Sequence, residues 1–125
     1  MTVPSPSLAG LDVLLVEDES MVSLLLEDML HELGAGNVRP ASRLDTALAL
    51  AAERRPDLAV LDVNIAGKAV FPLAQKLTKD RVPVLFITGY GRDGLGTEWA
   101  DCEVLQKPLT LDQLEMALHR ALARG

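Results

Sequence analysis

Cysteine and aromatic residues are scarce in this sequence. Its 125 residues include one cysteine, one tryptophan, one tyrosine and two phenylalanines. The single cysteine, Cys102, cannot form an internal disulfide, which suits a reducing compartment. We interpret it as a partly buried small hydrophobic residue and not as a nucleophile. With so few rings, the core must be aliphatic and built mainly from Leu, Ala and Val.

Positive charge and long hydrophobic runs are also lacking. Twelve Lys and Arg residues stand against eighteen Asp and Glu residues, which gives a net charge of −6. Phosphate contacts need a basic face, so binding to nucleic acid is not expected. No apolar run approaches the roughly 20 residues that span a bilayer. The start "MTVPSPSLAG" lacks the basic and apolar regions of a signal peptide. We therefore expect a cytoplasmic protein with no membrane contact.

The chain length suits one domain with a single core. Residues 1–9 hold two prolines and three serines or threonines, which is typical of a flexible tail. The predicted domain covers residues 10–125.

Five short apolar runs predict strands buried in a parallel sheet. They lie at residues 11–16, 37–41, 58–62, 82–88 and 103–106. The second is predicted to be an edge strand, because Pro40 cannot donate to a ladder.

Helical patterns separate most of these runs. Helices are predicted from an N-cap at Ser20 to a stop at Gly34, from an N-cap at Ser42 to just before Pro56, over 69–80 with Pro72 in the first turn, and over 110–124 with Thr110 as N-cap. This alternation predicts an α/β fold with a doubly wound parallel sheet. Residues 89–101 contain four glycines in their first eight positions, so a loop or frayed turn is predicted there.

Two of the predicted helices carry a clear apolar stripe. In the first, the shared face is predicted to consist of Met21, Leu24, Leu25, Met29 and Leu33. In the last, it is predicted to consist of Leu111, Leu114, Leu118 and Leu122. The methionines are interpreted as core residues, and Trp99 as the cover of a core edge or, alternatively, a contact for a partner. His31 and His119 lie within these helices, where solvated or half-buried rings are expected rather than metal ligands.

Reactive side chains follow four of the predicted strands. Glu17 and Asp18 close the first, Asp62 the third, Thr88 the fourth and Lys107 the fifth. Ligands of open parallel sheets bind outside the carboxyl ends of the strands, so these side chains are expected to meet at one edge. Crowded carboxylates favour a hard cation such as Mg²⁺, and a carboxylate can accept a phosphoryl group as an aspartyl-phosphate. Lys107 and the Thr88 hydroxyl would then contact the phosphoryl oxygens.

Each of these residues alone has an ordinary structural explanation. An acid pair before a helix can be a capping device, Asp62 a turn residue, Thr88 a strand residue and Lys107 a loop charge. The ordered set at four strand ends favours a functional site.

The segments "VLLVEDES", "LAVLDVNI", "VLFITGY" and "LQKPL" resemble the signature segments of response-regulator receiver domains of two-component signalling, from residue 11 onward. The resemblance implies a flavodoxin-like (βα)5 fold with strand order 2-1-3-4-5. It implies Asp62 as the phospho-acceptor, Asp18 as a Mg²⁺ ligand with Glu17 acting largely through water, and the backbone carbonyl of Asn64 as a further ligand. It also implies Thr88 as the switch hydroxyl, and Lys107 joined to Pro108 by a cis bond.

Two departures from that family stand out. The position three residues before the lysine, usually Tyr or Phe in the family, is Val104, and the helix before the fifth strand looks short or irregular. The chain thus resembles the atypical receivers with a Phe-x-Thr-Gly-Tyr type motif, which occur as single domains or in hybrid kinases. We hypothesise that Tyr90 replaces the missing switch aromatic.

The expected function is that of a stand-alone receiver, phosphorylated on Asp62 by a sensor histidine kinase or a histidine phosphotransfer protein. The chain has no GxxxxGK[ST] loop for ATP. It is expected to act on an unknown output protein by contact or phosphorelay, and not as an enzyme beyond self-catalysed phosphoryl transfer and autodephosphorylation. The alternatives are a phosphorylation-independent pseudo-receiver or phosphate sink, and a phosphatase similar to haloacid dehalogenases. The phosphatase would need an acid where Asn64 stands.

Overall fold

A parallel sheet forms the centre of the fold. The computed structural model describes residues 8–89 and 95–124. The strands are β1 (Asp12–Val16), β2 (Asn37–Ala41), β3 (Leu58–Asp62), β4 (Asn64–Ile65), β5 (Lys68–Ala69), β6 (Val84–Thr88) and β7 (Glu103–Gln106). The helices are α1 (Ser20–Glu32), α2 (Leu44–Glu53), α3 (Phe71–Lys79) and α4 (Leu111–Arg124), and one 3₁₀ turn covers Thr97–Trp99. Within the described ranges, no helix is both long and apolar enough to cross a bilayer.

The five long strands lie in the order β2-β1-β3-β6-β7, and every neighbouring pair is parallel. Counted without the short strands β4 and β5, this is the predicted order 2-1-3-4-5. β2 forms one edge, as its proline indicated. The register aligns the carboxyl ends of the strands, with Asp62 beside Ile87 and Thr88 beside Gln106. The residues that follow these strands therefore meet at one edge of the sheet.

Helices cover both faces of the sheet. Alternate strand residues point to opposite sides, so Leu14 and Val16 pack with α2 and α3, whereas Val13 and Leu15 pack with α1 and α4. The doubly wound fold is therefore confirmed.

The predicted buried face of α1 is only partly correct, because Leu33 is buried and Met29 half-buried but the other three residues are exposed. Met21, Leu24 and Leu25 are 79%, 57% and 55% exposed, and the buried residues of the helix are Leu26 and Leu30. Apolar side chains surround most of this helix, so their spacing does not define one buried stripe. Met116 on α4 is also exposed, so the interpretation of the methionines as core residues is wrong for Met21 and Met116, whereas Met29 packs against the core. On α4 itself, Leu114 and Leu118 are buried as predicted.

Only one of the three predicted serine or threonine caps is present. Thr110 and Gln113 form a reciprocal capping box, because the Gln113 N–H donates to Thr110 Oγ1 (3.2 Å) and the Thr110 N–H donates to Gln113 Oε1 (2.9 Å). The N-cap positions of α1 and α2 are Glu19 and Arg43, and neither side chain makes a capping hydrogen bond. Ser20 and Ser42 are therefore not caps.

Part of the predicted tail belongs to the fold. Leu8 is fully buried, and its N–H donates to the carbonyl of Leu33 (3.1 Å). Ala9 forms an antiparallel bridge with Ala35. Residues 8 and 9 thus pack on the segment after α1, and the rest of the predicted tail, residues 1–7, lies outside the described ranges.

The glycine-rich segment after β6 has little helix where it is described. Over residues 95–101 the structure holds a single 3₁₀ turn, in agreement with the predicted loop or frayed turn. Trp99 in this turn is buried against the core, stacked on Phe71 with ring centroids 5.6 Å apart and edge-on to Phe86 at 5.3 Å. It therefore covers the core edge, as the first of the two sequence interpretations proposed.

A partly buried ion pair joins β1, β2 and α2 at the amino edge of the sheet. Arg39 donates to Asp12 Oδ2 (2.7 Å) and to the carbonyls of Leu50 (2.6 Å) and Arg54 (2.8 Å) at the end of α2. Burial of Asp12 tends to raise the pKa of its carboxyl, but the bonds from Arg39 and Asn37 outweigh this and lower the pKa below its usual value. The resulting stabilisation is present at neutral pH and is lost as the pH falls through that lowered pKa.

Arg39→Leu is expected to reduce the free energy of unfolding by about 2–3 kcal/mol at neutral pH, because Asp12 loses its shortest ion pair and the carbonyls of Leu50 and Arg54 each lose a hydrogen bond. Urea denaturation measures the loss. Arg43→Leu is the matched control, since the ion pair of Arg43 with Asp45 is 70% exposed on both sides. It is expected to change stability by less than about 0.5 kcal/mol. Equal stability of the two variants would contradict this role for Arg39.

Candidate functional site

The carboxyl edge of the sheet brings together most of the predicted site residues. Glu17 and Asp18 follow β1, Asp62 ends β3, Thr88 ends β6 and Lys107 follows β7. A single cleft is bordered by Asp18, Asp62, Asn64 and Lys107, together with Glu19, Gly67 and Gly89. The parallel register is what places residues so distant in sequence at one site.

Lys107 bridges two of the carboxylates. Its Nζ lies 2.6 Å from Glu17 Oε1 and 3.0 Å from Asp62 Oδ2. The Glu17 side chain is 0% exposed and that of Lys107 19% exposed. A buried carboxylate without a counter-ion would be strongly disfavoured, so the ammonium makes this arrangement possible. The backbone N–H of Lys107 donates to the Thr88 carbonyl (2.8 Å) and fixes the start of the lysine segment.

Burial and a neighbouring charge control the protonation of Glu17. Burial is the largest effect and raises the pKa of the Glu17 carboxyl. The bonds from Lys107 and from the Glu19 N–H (3.1 Å) oppose it, and the charge of Asp62 adds to it, so the pKa rises to about 7. For Lys107, burial tends to lower the pKa of the ammonium, but the contacts with Glu17 and Asp62 outweigh burial and raise it. Lys107 is therefore a cation at neutral pH, and the pKa of the Glu17 carboxyl lies well above its usual value.

The donor set fits a hard divalent cation. Glu17, Asp18 and Asp62 each offer a carboxylate oxygen, and the three ligand atoms lie within 4.8 Å of one another. Carboxylate oxygens are the ligands that Mg²⁺ and Ca²⁺ prefer, and Mg²⁺ commonly retains several waters beside one or two carboxylates. Asp18 is exposed, so a hydrated ion can reach it from solvent.

The sequence did not predict the small hairpin beside these carboxylates. β4 and β5 are antiparallel and are joined by Ala66 and Gly67, both with positive φ (51° and 83°). The Ala66 N–H donates to Asp18 Oδ2 (2.9 Å) and the Asn64 N–H to Asp62 Oδ1 (3.4 Å). A two-residue loop of this conformation usually contains Asn-Gly, so Ala-Gly is a weak turn signal. The resemblance implied a role only for the backbone carbonyl of Asn64, whereas in the structure its backbone N–H contacts the Asp62 carboxylate.

A second cleft beside Asp62 is bordered by Thr88 and an aromatic ring. Thr88 is buried, and it shares a cleft with Asp62 and Phe71. Phe71 is the residue that sequence reasoning missed. Its ring borders this cleft and also stacks on Trp99. A Pro-flanked phenylalanine at a helix start gave no functional signal.

Of the two remaining switch candidates, Val104 lies within the described residues and Tyr90 does not. Val104 lies on β7, pairs with Phe86 of β6 and is half-buried against the core. Tyr90 lies outside the described residues, so its proposed role stays a hypothesis. The peptide bond between Lys107 and Pro108 is cis, as the resemblance implied.

The two histidines and the cysteine lie outside the carboxylate cluster. His31 on α1 and His119 on α4 are exposed, and the carboxylate cluster found among the described residues includes neither. Cys102 is half-buried and packs against the core, in agreement with its interpretation as a small hydrophobic residue.

Comparison with known proteins identifies the family of this fold and site. The sequence profile of the response regulator receiver domain matches residues 13–119. The chain belongs to this family. Receiver domains of two-component systems are generally phosphorylated on an aspartate, bind Mg²⁺ at an acidic pocket and interact with histidine kinases or phosphotransfer proteins.

Receiver proteins of known structure and name are similar over nearly the whole chain. The solution structure of SdrG from Sphingomonas melonis Fr1 superimposes with a TM-score of 0.77 at 33% identity, covering 94% of this chain and 99% of SdrG. Sporulation initiation phosphotransferase F of Bacillus subtilis (strain 168) is 26% identical over 115 residues, which are 88% of this chain and 92% of that protein.

Other relatives are longer than this chain. Transcriptional regulatory protein PdtaR of Mycobacterium tuberculosis (strain ATCC 25618 / H37Rv) is 28% identical over 116 residues, which are 90% of this chain but 57% of PdtaR. The chain thus spans about half the length of such relatives. The similarity to these relatives covers the receiver domain, and it assigns to this chain none of the regulatory activity that their names describe.

Glu17→Gln is expected to alter the pH dependence of stability when a chelator removes divalent cations. The fold raises the Glu17 pKa from 4.5 to about 7, so the stabilisation from its protonated form is present below the first value and is lost as the pH rises through the second. The stability of the parent relative to the Gln variant should therefore fall by more than about 1 kcal/mol between about pH 5 and about pH 8.

Urea unfolding at several pH values measures this difference. Glu32→Gln, at an exposed position of α1, is the control for the loss of one carboxylate. A pH dependence for Glu17→Gln no larger than that for Glu32→Gln would contradict the raised pKa.

Proposed function

We propose that this receiver accepts a phosphoryl group on Asp62 from the phosphohistidine of a sensor histidine kinase or a histidine phosphotransfer protein, in a Mg²⁺-dependent reaction. The observation that carries the proposal is the contact of Lys107 with Asp62, 3.0 Å, inside a cluster of three carboxylates. The reaction belongs in the cytoplasm, a reducing compartment that suits the lone cysteine.

In the proposed step, a carboxylate oxygen of Asp62 bonds to phosphorus as the N–P bond of the phosphohistidine breaks. The electron pair of that bond stays on the imidazole nitrogen, which takes up a proton from solvent. Lys107 neutralises charge on the transferred oxygens, and Thr88 donates a hydrogen bond to one of them. When bound, Mg²⁺ supplies further neutralisation of the phosphoryl oxygens, and Asp18, Asp62, the Asn64 carbonyl and Glu17, through water, would hold it.

The donor is proposed to be a protein and to dock on α1. Met21, Leu24 and Leu25 expose apolar surface on this helix. An apolar groove next to them is lined by Val22, Leu25, Leu26, Met29, Lys107, Pro108 and Leu109. Lys107 thus borders both the groove and the acceptor site. A helix seated in the groove would carry its phosphohistidine close to Asp62.

Output is proposed to follow from movement of Thr88 toward the phosphoryl group. Thr88 is buried beside the Phe71 ring, which stacks on Trp99 in the turn that precedes β7. A shift of Thr88 would therefore bias the packing of this part of the surface. The net charge of −6 supports contact with a protein or onward transfer of the phosphoryl group, and not binding to DNA. The name of the similar sporulation initiation phosphotransferase F supports the relay version.

Incubation with a small-molecule phosphodonor and Mg²⁺ is expected to add one phosphoryl group, measured by intact-mass spectrometry. Asp62→Asn should abolish the adduct because it removes the nucleophilic carboxylate, and chelation should suppress it. Asp28→Asn, which removes an exposed carboxylate of α1, is the matched control and should retain it. A parent chain that takes up no phosphoryl group from the donor or from candidate kinases would contradict the proposal and favour phosphorylation-independent binding.

Leu25→Asp is expected to slow phosphoryl transfer from a histidine kinase or phosphotransfer protein by about tenfold or more, since it places a charge in the apolar contact. Transfer from the small-molecule donor should not change, because the site itself is intact. Met116→Asp is the matched control, with 60% exposure on α4 against 55% for Leu25. The rates are measured with a radiolabelled donor protein. Equal slowing by both variants, or by neither, would contradict docking on α1.

A further inference from the structure

The β4–β5 hairpin ties together two carboxylates that come from different strands. The Ala66 N–H donates to Asp18 Oδ2 at 2.9 Å, and the Asn64 N–H donates to Asp62 Oδ1 at 3.4 Å. Asp18 follows β1 and Asp62 ends β3, so the hairpin is a second link between them besides the sheet itself.

The turn of this hairpin is held in an unusual conformation. Ala66 and Gly67 have φ values of 51° and 83°, the left-handed region that residues other than glycine seldom adopt. The side-chain oxygen of Asn64 accepts a hydrogen bond from the Gly67 N–H at 3.1 Å and so supports the turn. The left-handed turn directs the Ala66 N–H toward Asp18.

These hydrogen bonds leave the carboxylates able to bind a cation. A carboxylate accepts at about four lone-pair sites, and each amide uses one of them. The amide dipoles also offset part of the repulsion among carboxylates whose ligand atoms lie within 4.8 Å of one another. Carboxylates that are already oriented bind a cation more tightly than carboxylates that must first be ordered, because the apparent dissociation constant equals the intrinsic constant divided by the fraction of the protein in the competent state.

We propose that the Ala66–Gly67 turn is a positioning element of the metal site, which sets the affinity for Mg²⁺ by holding the Asp18 and Asp62 carboxylates through the backbone amides of Ala66 and Asn64. This inference rests on the proposed function of the same site. It assigns a role in cation binding to Ala66 and Gly67, neither of which has a ligating side chain.

Gly67→Ala is the most selective test. A Cβ at Gly67 would have no atom within 4 Å, so the substitution changes only the energy of the left-handed backbone. Gly10→Ala is the matched control, because Gly10 also has a positive φ (74°) and open space around its Cβ but precedes β1 at the opposite edge of the sheet. The two variants should lose similar stability to urea, and only one should lose cation affinity.

The dissociation constant for Mg²⁺ is measured by following backbone amide signals in NMR spectra during titration with MgCl₂. Gly67→Ala is expected to raise the constant about threefold or more, whereas Gly10→Ala should leave it near the parent value. If Gly67→Ala does not fold, Asn64→Ala, which removes the acceptor for the Gly67 N–H, replaces it with the same expected result. A constant for the tested hairpin variant within threefold of the Gly10→Ala value would overturn the inference and leave the proposed function standing. A parent chain that binds no Mg²⁺ would overturn the metal site and this inference together.

Discussion

The contact of the Lys107 ammonium with Glu17 and Asp62 is the interaction on which the rest of the site depends. Its nitrogen lies 2.6 Å from one carboxylate and 3.0 Å from the other. Glu17 is fully buried, and its pKa is raised to about 7 even with this cation beside it. The acidic edge is therefore electrostatically unfavourable in the free protein, and a cation or a transferred phosphoryl group with its counter-ion would change that balance.

The direction of the parallel strands, and not the shape of the loops, brings the residues of this edge together. Parallel strands point their carboxyl ends the same way, so a residue placed after each strand arrives at a common site. Residues separated by 45 positions, such as Asp62 and Lys107, come into contact in this manner. The helices on both faces bury most of the apolar strand residues, and the polar cluster lies at the carboxyl ends of the strands.

The elements nearest the sheet could be predicted from sequence, because a strand covered on both faces must be apolar throughout. The five long strands lie within two residues of their predicted ranges for this reason. The contacts of α1 could not be predicted in the same way, because apolar side chains surround most of the helix. Only the packing of α1 on the sheet shows that Met21, Leu24 and Leu25 face solvent. The burial of Leu8 also depends on tertiary packing, because the composition of its flanking sequence indicated only flexibility.

The candidate site divides in the same way. Its charged side chains could be recognised as residues that follow strands, and the expected parallel arrangement of the strands predicted that they meet. The hairpin at Ala66 and Gly67 was not visible, because its hydrogen bonds to the carboxylates come from backbone amides, which carry no residue type. The place of Phe71 beside Thr88 was equally hidden, since a ring at a helix start is usually a packing residue. Val104 stands at the position where the family usually has an aromatic residue. Among the described residues, Phe71 supplies the aromatic ring at the cleft of Thr88.

The most direct test of the central claim is to locate the phosphoryl group on the chain. Borohydride reduces an acyl phosphate to the alcohol, so a phosphorylated aspartate becomes homoserine, which tandem mass spectrometry of peptides identifies by position. After treatment with a phosphodonor and Mg²⁺, homoserine is predicted at position 62, with Asp18 and the other carboxylates unchanged. Homoserine at another aspartate, or at none while the chain carries a phosphoryl group, would contradict the assignment of Asp62 as the acceptor beside Lys107.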